Sequence, residues 1–158
     1  MKTNLLNYSS ALLAGACLAF STGYSLAEAD APEASAIRAA AENFHKALAS
    51  GKPEEVMSLL QPDALIVESG AVQTRGEYEK EHLGEDIAYA RAVPSRQLTA
   101  IVRQDGDVAW VTSTFSVTGT FQDKPVNSLA AETMVLSKTP AGWRIRTLHW
   151  SSHKAARR

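Results

Sequence analysis

Cysteine is all but missing from this chain: Cys17 is the single one in 158 residues. That excludes an intramolecular disulfide framework and any multi-cysteine zinc site. Neither sign of charge dominates. Lys plus Arg total 16 and Asp plus Glu total 17, a formal net charge of −1. Nucleic-acid binding through bulk positive charge is therefore not expected, and nothing signals a membrane surface. Long apolar runs are also lacking. The strongest, Ala11 to Phe20, is about half of the roughly 20 residues that span a bilayer. Internal repeats and low-complexity segments are absent. What remains is 45% hydrophobic and 21% charged residues, the make-up of an ordinary soluble globular protein of one domain.

The start reads as a cleaved secretory signal. Lys2 supplies a positive n-region, Ala11–Phe20 an apolar h-region, and small-x-small sites end at Ala27 and Ala29. Residues 1–27 are expected to leave, with the cut after Ala27 or Ala29, and the mature protein is expected to be secreted, in the bacterial style to the periplasm. A lipoprotein through Cys17 is the weaker alternative, because Ala14-Gly15-Ala16 precedes it and apolar sequence continues after it. Residues 28–33 read as a flexible leader, 34–152 as the folded domain and 153–158 as a basic tail.

Ile37, Ala41, Phe44 and Leu48 fall at i, i+4, i+7 and i+11, one face of a helix. Gly51 ends it. Pro53-Glu54-Glu55 opens a short second helix. Ala64 to Glu68 is a short strand, closed by a Ser69-Gly70 turn. Thr74-x-x-Glu77 is a capping box that opens a third helix running to about Ala92. On its wheel Tyr78, His82 and Asp86 lie in the apolar half. After Ser95 the period changes to two, in four runs parted by turns at Asp105-Gly106, Asp123-Lys124-Pro125 and Thr139–Gly142. Three helices and a short strand followed by an antiparallel meander make an α+β fold.

Turn centres set strand register where no bulge intervenes. A turn on Pro140-Ala141 places Glu132 opposite His149, and one on Asp123-Lys124 places Phe115 opposite Glu132. The more apolar sheet face then holds Val111, Ser113, Phe115, Glu132, Met134, Leu136, Ile145, Thr147 and His149. The other face carries Trp110, Thr112, Arg144, Arg146 and Trp150, a mixture suited to a partner subunit. Isolated buried charges are costly, so inward polar groups are paired or face a wet cavity. Glu132 and His149 are the candidate catalytic dyad: the carboxylate holds the imidazole's tautomer and the imidazole moves a proton. His82, Asp86, Tyr78 and Glu68 are the candidate cavity lining, with His82 or Tyr78 as donor to a developing enolate. The competing reading makes these groups a hydrogen-bonded core. His45 borders the first helix's apolar stripe and reads as a boundary residue. A metal held by His82 and Asp86, with His149 and Glu132, rests on bare His-x-x-x-Asp spacing, a weak motif. No metal and no cofactor is assigned.

Two stretches carry a resemblance: AAENFHKALASGKPEEVMSLLQPDALIVESG, and AETMVLSKTPAGWRIRTLHWSS with Gly142, Trp143, Ile145 and His149 in the Gly-Trp-x-Ile-x-x-x-His pattern. Through them residues 34–152 resemble the SnoaL-like members of the nuclear transport factor 2-like superfamily, and are similar to the calcium/calmodulin-dependent kinase II association domain. The resemblance implies a cone-shaped α+β fold, three N-terminal helices packed on a curved antiparallel sheet, a central cavity and dimers built through the sheet, here with Trp110 and Trp150. It does not imply one activity, since the superfamily holds isomerases, dehydratases, cyclases and oligomerisation modules. Whether the chain is an enzyme stays open. The expectation is a small-molecule-binding domain, as a cofactor-independent isomerase, dehydratase or cyclase; the alternative is a non-enzymatic dimerisation module. Neither reading involves nucleic acid or stable membrane association.

Overall fold

The computed structural model describes residues 31–156. The expected signal, its cleavage site and Cys17 lie outside the described residues. Helix α1 spans Ala31–Ser50, α2 Pro53–Leu59, α3 Arg75–Glu81 and α4 Leu83–Ala92. The strands are β1 (Leu60–Glu68), β2 (Ala71–Thr74), β3 (Ser95–Asp105), β4 (Val108–Phe121), β5 (Lys124–Thr139) and β6 (Gly142–Lys154). No helix among the described residues is long and apolar enough to cross a membrane. All six strands form one sheet in the order β2-β1-β6-β5-β4-β3. The long strands β3 to β6 make the expected meander. β1 joins it by pairing parallel to β6, and β2 folds back on β1 through Ser69-Gly70, both at positive φ.

Helix α1 buries Ile37, Ala41, Phe44 and Leu48, the stripe that its periodicity marks. It starts at Ala31, inside the segment expected as a leader, because Glu33 is tied to the sheet. The Glu33 carboxylate accepts from the Trp143 indole at 2.9 Å and pairs with Lys138 at 2.9 Å, which holds its pKa below the ordinary range. The capping box forms as expected. Thr74 Oγ1 accepts from the Glu77 backbone and Glu77 accepts from the Thr74 backbone. The helix it opens is not continuous to Ala92. The backbone leaves helical geometry at His82, with φ −126° and ψ −38°, and α4 restarts at Leu83.

The hairpins sit close to their expected places, and the small offsets matter. Gln122 and Asp123 form the β4–β5 turn, both at positive φ, one residue earlier than expected. Glu132 therefore faces Ser113, and Phe115 faces Ala130. The β5–β6 turn is where Pro140-Ala141 puts it, and Leu136 pairs with Ile145 as predicted. Val135 then pairs with Thr147, so one residue is added on β6 at Arg146. A bulge of this kind reverses the side-chain alternation beyond it. Leu148 is buried and Trp150 turns inward, while His149 is exposed, flanked by Thr133 and Val67. A further bulge after Gln97 leaves Leu98 at 44% exposure.

The core lies between α1, α2 and the inner face of the sheet. Phe44, Val56, Ile66, Met134, Leu136, Ile145 and Leu148 are fully buried there. Burial of such side chains contributes about 1.5–3 kcal/mol each. Two polar residues are buried with them, Ser113 and Glu132.

Candidate functional site

Glu132 is carried inward by the alternation of β5, and its side chain is 1% exposed. Two donors compensate the burial. Trp150, turned inward by the Arg146 bulge, donates its indole N–H to Oε2 at 2.7 Å. His45 of α1 sets Nε2 3.1 Å from Oε1 and 3.0 Å from Oε2. The expected dyad of Glu132 with His149 is thus corrected: the imidazole beside the carboxylate is His45, and His149 lies on the outer face. The register argument fails only because it excludes the bulge. Spacing offers a partial signal for His45, which stands four residues after Ala41 and eight after Ile37 at the edge of the buried stripe. Its ring packs on Phe115 and Phe44, with centroids 5.3 and 6.0 Å away, and its side chain stays 33% exposed.

That exposed edge faces a cavity of about 210 Å³ between α1 and the sheet, lined by Arg38, His45, Gln97, Phe115, Ser113 and Glu132. Gln97 donates to Ser113 Oγ at 3.2 Å. The floor is a buried carboxylate, the walls are mixed apolar and amide, and Arg38, Glu42 and Lys46 bring charge to the same lining, a combination suited to a small, partly apolar molecule with a polar end.

A second polar group gathers where β1, β2, α3 and α4 meet. Tyr78 donates its hydroxyl to Asp86 Oδ2 at 2.8 Å. His82 Nδ1 lies 3.0 Å from Gln73 Oε1, which can only accept, so Nδ1 carries the proton. His82 Nε2 stands 3.8 Å from Glu68 Oε2 and 3.9 Å from Asp86 Oδ1. Burial raises the pKa of Asp86, against the opposing bond from Tyr78. Burial first, and then the charge of Asp86, raises that of Glu68. Tyr78 is pushed well above the tyrosine range by burial and by Asp86, so its hydroxyl remains a donor.

The sequence reading joins His82, Asp86, Tyr78 and Glu68, and the structure brings all four together. It separates their roles. Tyr78 is fully buried and gives its hydroxyl to Asp86, so it stands behind that carboxylate and outside the linings of the cavities of about 210, 160 and 320 Å³, where the expectation had it as lining and donor. Glu68 and Asp86 line a cavity of about 160 Å³ that His45 and Trp150 share. That cavity links the two polar groups, as the inward-facing periodicity suggests. His82 faces a different opening, of about 320 Å³, with Glu68, Glu85 and Asp86. Trp110 and Trp150 stand on opposite faces, so the expected single face with both tryptophans does not exist.

The SnoaL-like domain family matches residues 37–154. A candidate ketosteroid isomerase from Shewanella frigidimarina is 31% identical, with a TM-score of 0.71 over 73% of this chain and 94% of that one. A candidate dehydratase of the NTF2-like family from Streptomyces avermitilis is 23% identical, with a TM-score of 0.69 over 78% and 98%. A candidate calcium/calmodulin-dependent protein kinase II association domain from Xanthomonas campestris is 24% identical, with a TM-score of 0.64 over 76% and 87%. The last two likenesses speak for the fold alone. No curated protein matches the chain.

Proposed function

Because this chain belongs to the SnoaL-like domain family, of the nuclear transport factor 2-like fold, we propose that it binds a small, partly apolar molecule between α1 and the sheet and moves a proton on it. One observation carries the reading: a buried carboxylate, Glu132, holds an imidazole at the wall of a cavity. With Nε2–H of His45 donated to Glu132, Nδ1 is left as the nitrogen that accepts a proton. A proton taken by Nδ1 from a carbon beside a carbonyl and returned at another carbon is an isomerisation. Delivered instead to a departing hydroxyl, it is a dehydration that releases water. Both leave His45 as it began. The candidate isomerase among the similar structures fits the first of these outcomes.

The test is proton exchange. Purified protein in deuterium oxide is given a panel of small enones, β-hydroxy ketones and unsaturated cyclic ketones, and label uptake is followed by NMR. Catalysed exchange that is lost in His45→Ala and reduced in Glu132→Gln supports the reading. No exchange and no melt shift with any compound overturns it. Export belongs to the same proposal: a protein recovered from the periplasm should begin at Glu28 or Asp30, and one that keeps Met1 refutes the signal.

A second reading rests on the outer face of the sheet. Ile101 is 52% exposed there, one step along the β3–β4 ladder from Trp110, and Leu65, Val72 and Leu129 are 39–62% exposed farther across the same face. We propose a second copy of the chain as the occupant of this face, with Ile101 and Trp110 in place of the expected Trp110 and Trp150. The likeness to an association domain is compatible with it. Sedimentation at micromolar concentration should give a dimer, and Ile101→Asp a monomer. A wild-type monomer excludes this reading.

A further inference from the structure

We propose that Glu68, His82 and Asp86 form a binding site for one divalent transition-metal ion, zinc being the case to test. The inference does not depend on proton transfer at His45. Its basis is how three side chains from separate elements converge. Glu68 closes β1, His82 stands at the break between α3 and α4, and Asp86 follows one turn into α4. One ligand atom from each lies within 4.8 Å of the other two.

These atoms surround a space; they do not bond across it. The separations from Nε2, 3.8 Å to Glu68 and 3.9 Å to Asp86, are too long for hydrogen bonds. Ligands about 2.0–2.2 Å from a tetrahedral zinc stand roughly 3.4 Å apart, so the two separations from Nε2 need to contract by a few tenths of an ångström, while the third pair starts within 4.8 Å. Among the described residues Nε2 has no hydrogen-bond partner, and the outer contacts prepare it as a ligand. Gln73 Oε1 accepts the Nδ1–H of His82, which leaves Nε2, the nitrogen nearer the two carboxylates, with its lone pair. Tyr78 occupies Asp86 Oδ2, which leaves Oδ1 as the inward oxygen. A histidine whose second nitrogen is held by an amide oxygen, beside a carboxylate held by a hydroxyl, is the outer-shell pattern of metal sites.

The ligand types narrow the ion. One imidazole and two carboxylates suit zinc, manganese or iron(II) and offer no thiolate to select copper(I). The charges agree: burial raises the pKa of both carboxylates, the charge of Asp86 adds to it at Glu68, and a divalent cation between them would relieve that cost. An opening of about 320 Å³ lies over the three residues and leaves room for a solvent or substrate ligand.

The experiment uses the chain without a polyhistidine tag, stripped by a chelator and dialysed. Zinc is titrated by calorimetry, and cobalt(II) by its visible absorption. The expected result is one ion per chain, a raised melting temperature, and a ligand-field spectrum of low coordination number. Glu68→Gln, isosteric and partly exposed, should weaken zinc at least tenfold without changing the melt of the metal-free protein. His82→Ala should do the same, and Gln73→Ala should cost about 10- to 100-fold through ligand orientation. His149→Ala and His45→Ala should leave affinity unchanged. The absence of saturable uptake overturns the site, and so does uptake that Glu68→Gln leaves untouched.

Discussion

Glu132 of β5 meets His45 of α1, 87 positions away in the chain, while the imidazole one strand over at His149 points to the other side of the sheet. The contact joins the helical layer to the sheet at the one buried carboxylate among the described residues. Breaking it should have a cost that depends on what replaces it. Glu132→Leu removes the acceptor and strands the Trp150 indole N–H in the interior, a loss of about 1–3 kcal/mol. Glu132→Gln keeps an acceptor oxygen and should stay within about 1 kcal/mol of the wild type. Urea unfolding followed by circular dichroism distinguishes the two. Equal losses in both would mean that the charge, not the hydrogen bond, holds the site.

The bulge at Arg146 makes two neighbouring deletions unequal. Removing Arg146 straightens β6 and keeps Leu148 and Trp150 inward, at the expense of an exposed pair with Asp63 that is worth about 0–1 kcal/mol. Removing Leu148 turns His149 inward and Trp150 outward. The first protein should fold with a modestly lower melting temperature; the second should not give a cooperative melt. A folded Leu148 deletion would show that the sheet can choose its face after Arg146.

Gly119 of β4 lies against the end of α4. An added Cβ would come 3.1 Å from Val93 Cγ1 and 3.3 Å from the Val93 Cα. The side chain can give way; the backbone atom cannot without moving α4. Gly119→Ala should therefore destabilise by about 1–3 kcal/mol, despite the better strand propensity of alanine. Thermal melts at neutral pH check it, and a neutral or stabilising result would show that the helix end shifts freely.

The capping box gives a pH dependence whose sign is fixed. Hydrogen bonds from Thr74 lower the pKa of Glu77 in the folded state. A carboxylate with a depressed folded pKa stabilises fully above its unfolded value, and the contribution disappears as pH falls through the folded one. The wild type should melt above Glu77→Gln at pH 7, and the gap should close on acidification below the ordinary glutamate range. A gap that widens toward low pH would contradict the assignment.

Much of this architecture is legible in the residues. The stripe Ile37, Ala41, Phe44 and Leu48 marks α1, Thr74 and Glu77 mark the start of α3, and period two marks β3 to β6. The inward aim of Glu132, His82 and Asp86 also follows from periodicity. Apart from the local shift of the turn at Gln122-Asp123 and the helix break at His82, the parts that escape depend on contacts far apart in the chain. Nothing in Arg146-Thr147 announces a bulge, and the extra residue there moves His149 out and Trp150 in. The parallel pairing of β1 with β6 has no local signal, yet it delivers Glu68 to His82. His45 sits on the edge of its stripe, where spacing alone does not separate a boundary residue from one that meets a carboxylate.

Trp150 is more than a hydrogen-bond donor to Glu132. The chain has three tryptophans. Trp143 is buried against Glu33 and Trp110 sits on the outer face, whereas the Trp150 ring borders the cavity that His45 shares with Glu68 and Asp86. Its indole nitrogen already touches the carboxylate. With Trp110 and Trp143 replaced by phenylalanine, the emission of the remaining indole becomes a built-in optical gauge. It would register a proton, an ion or a guest arriving at the interior with no label attached, and candidate compounds could be sorted by colour shift before any reaction is known.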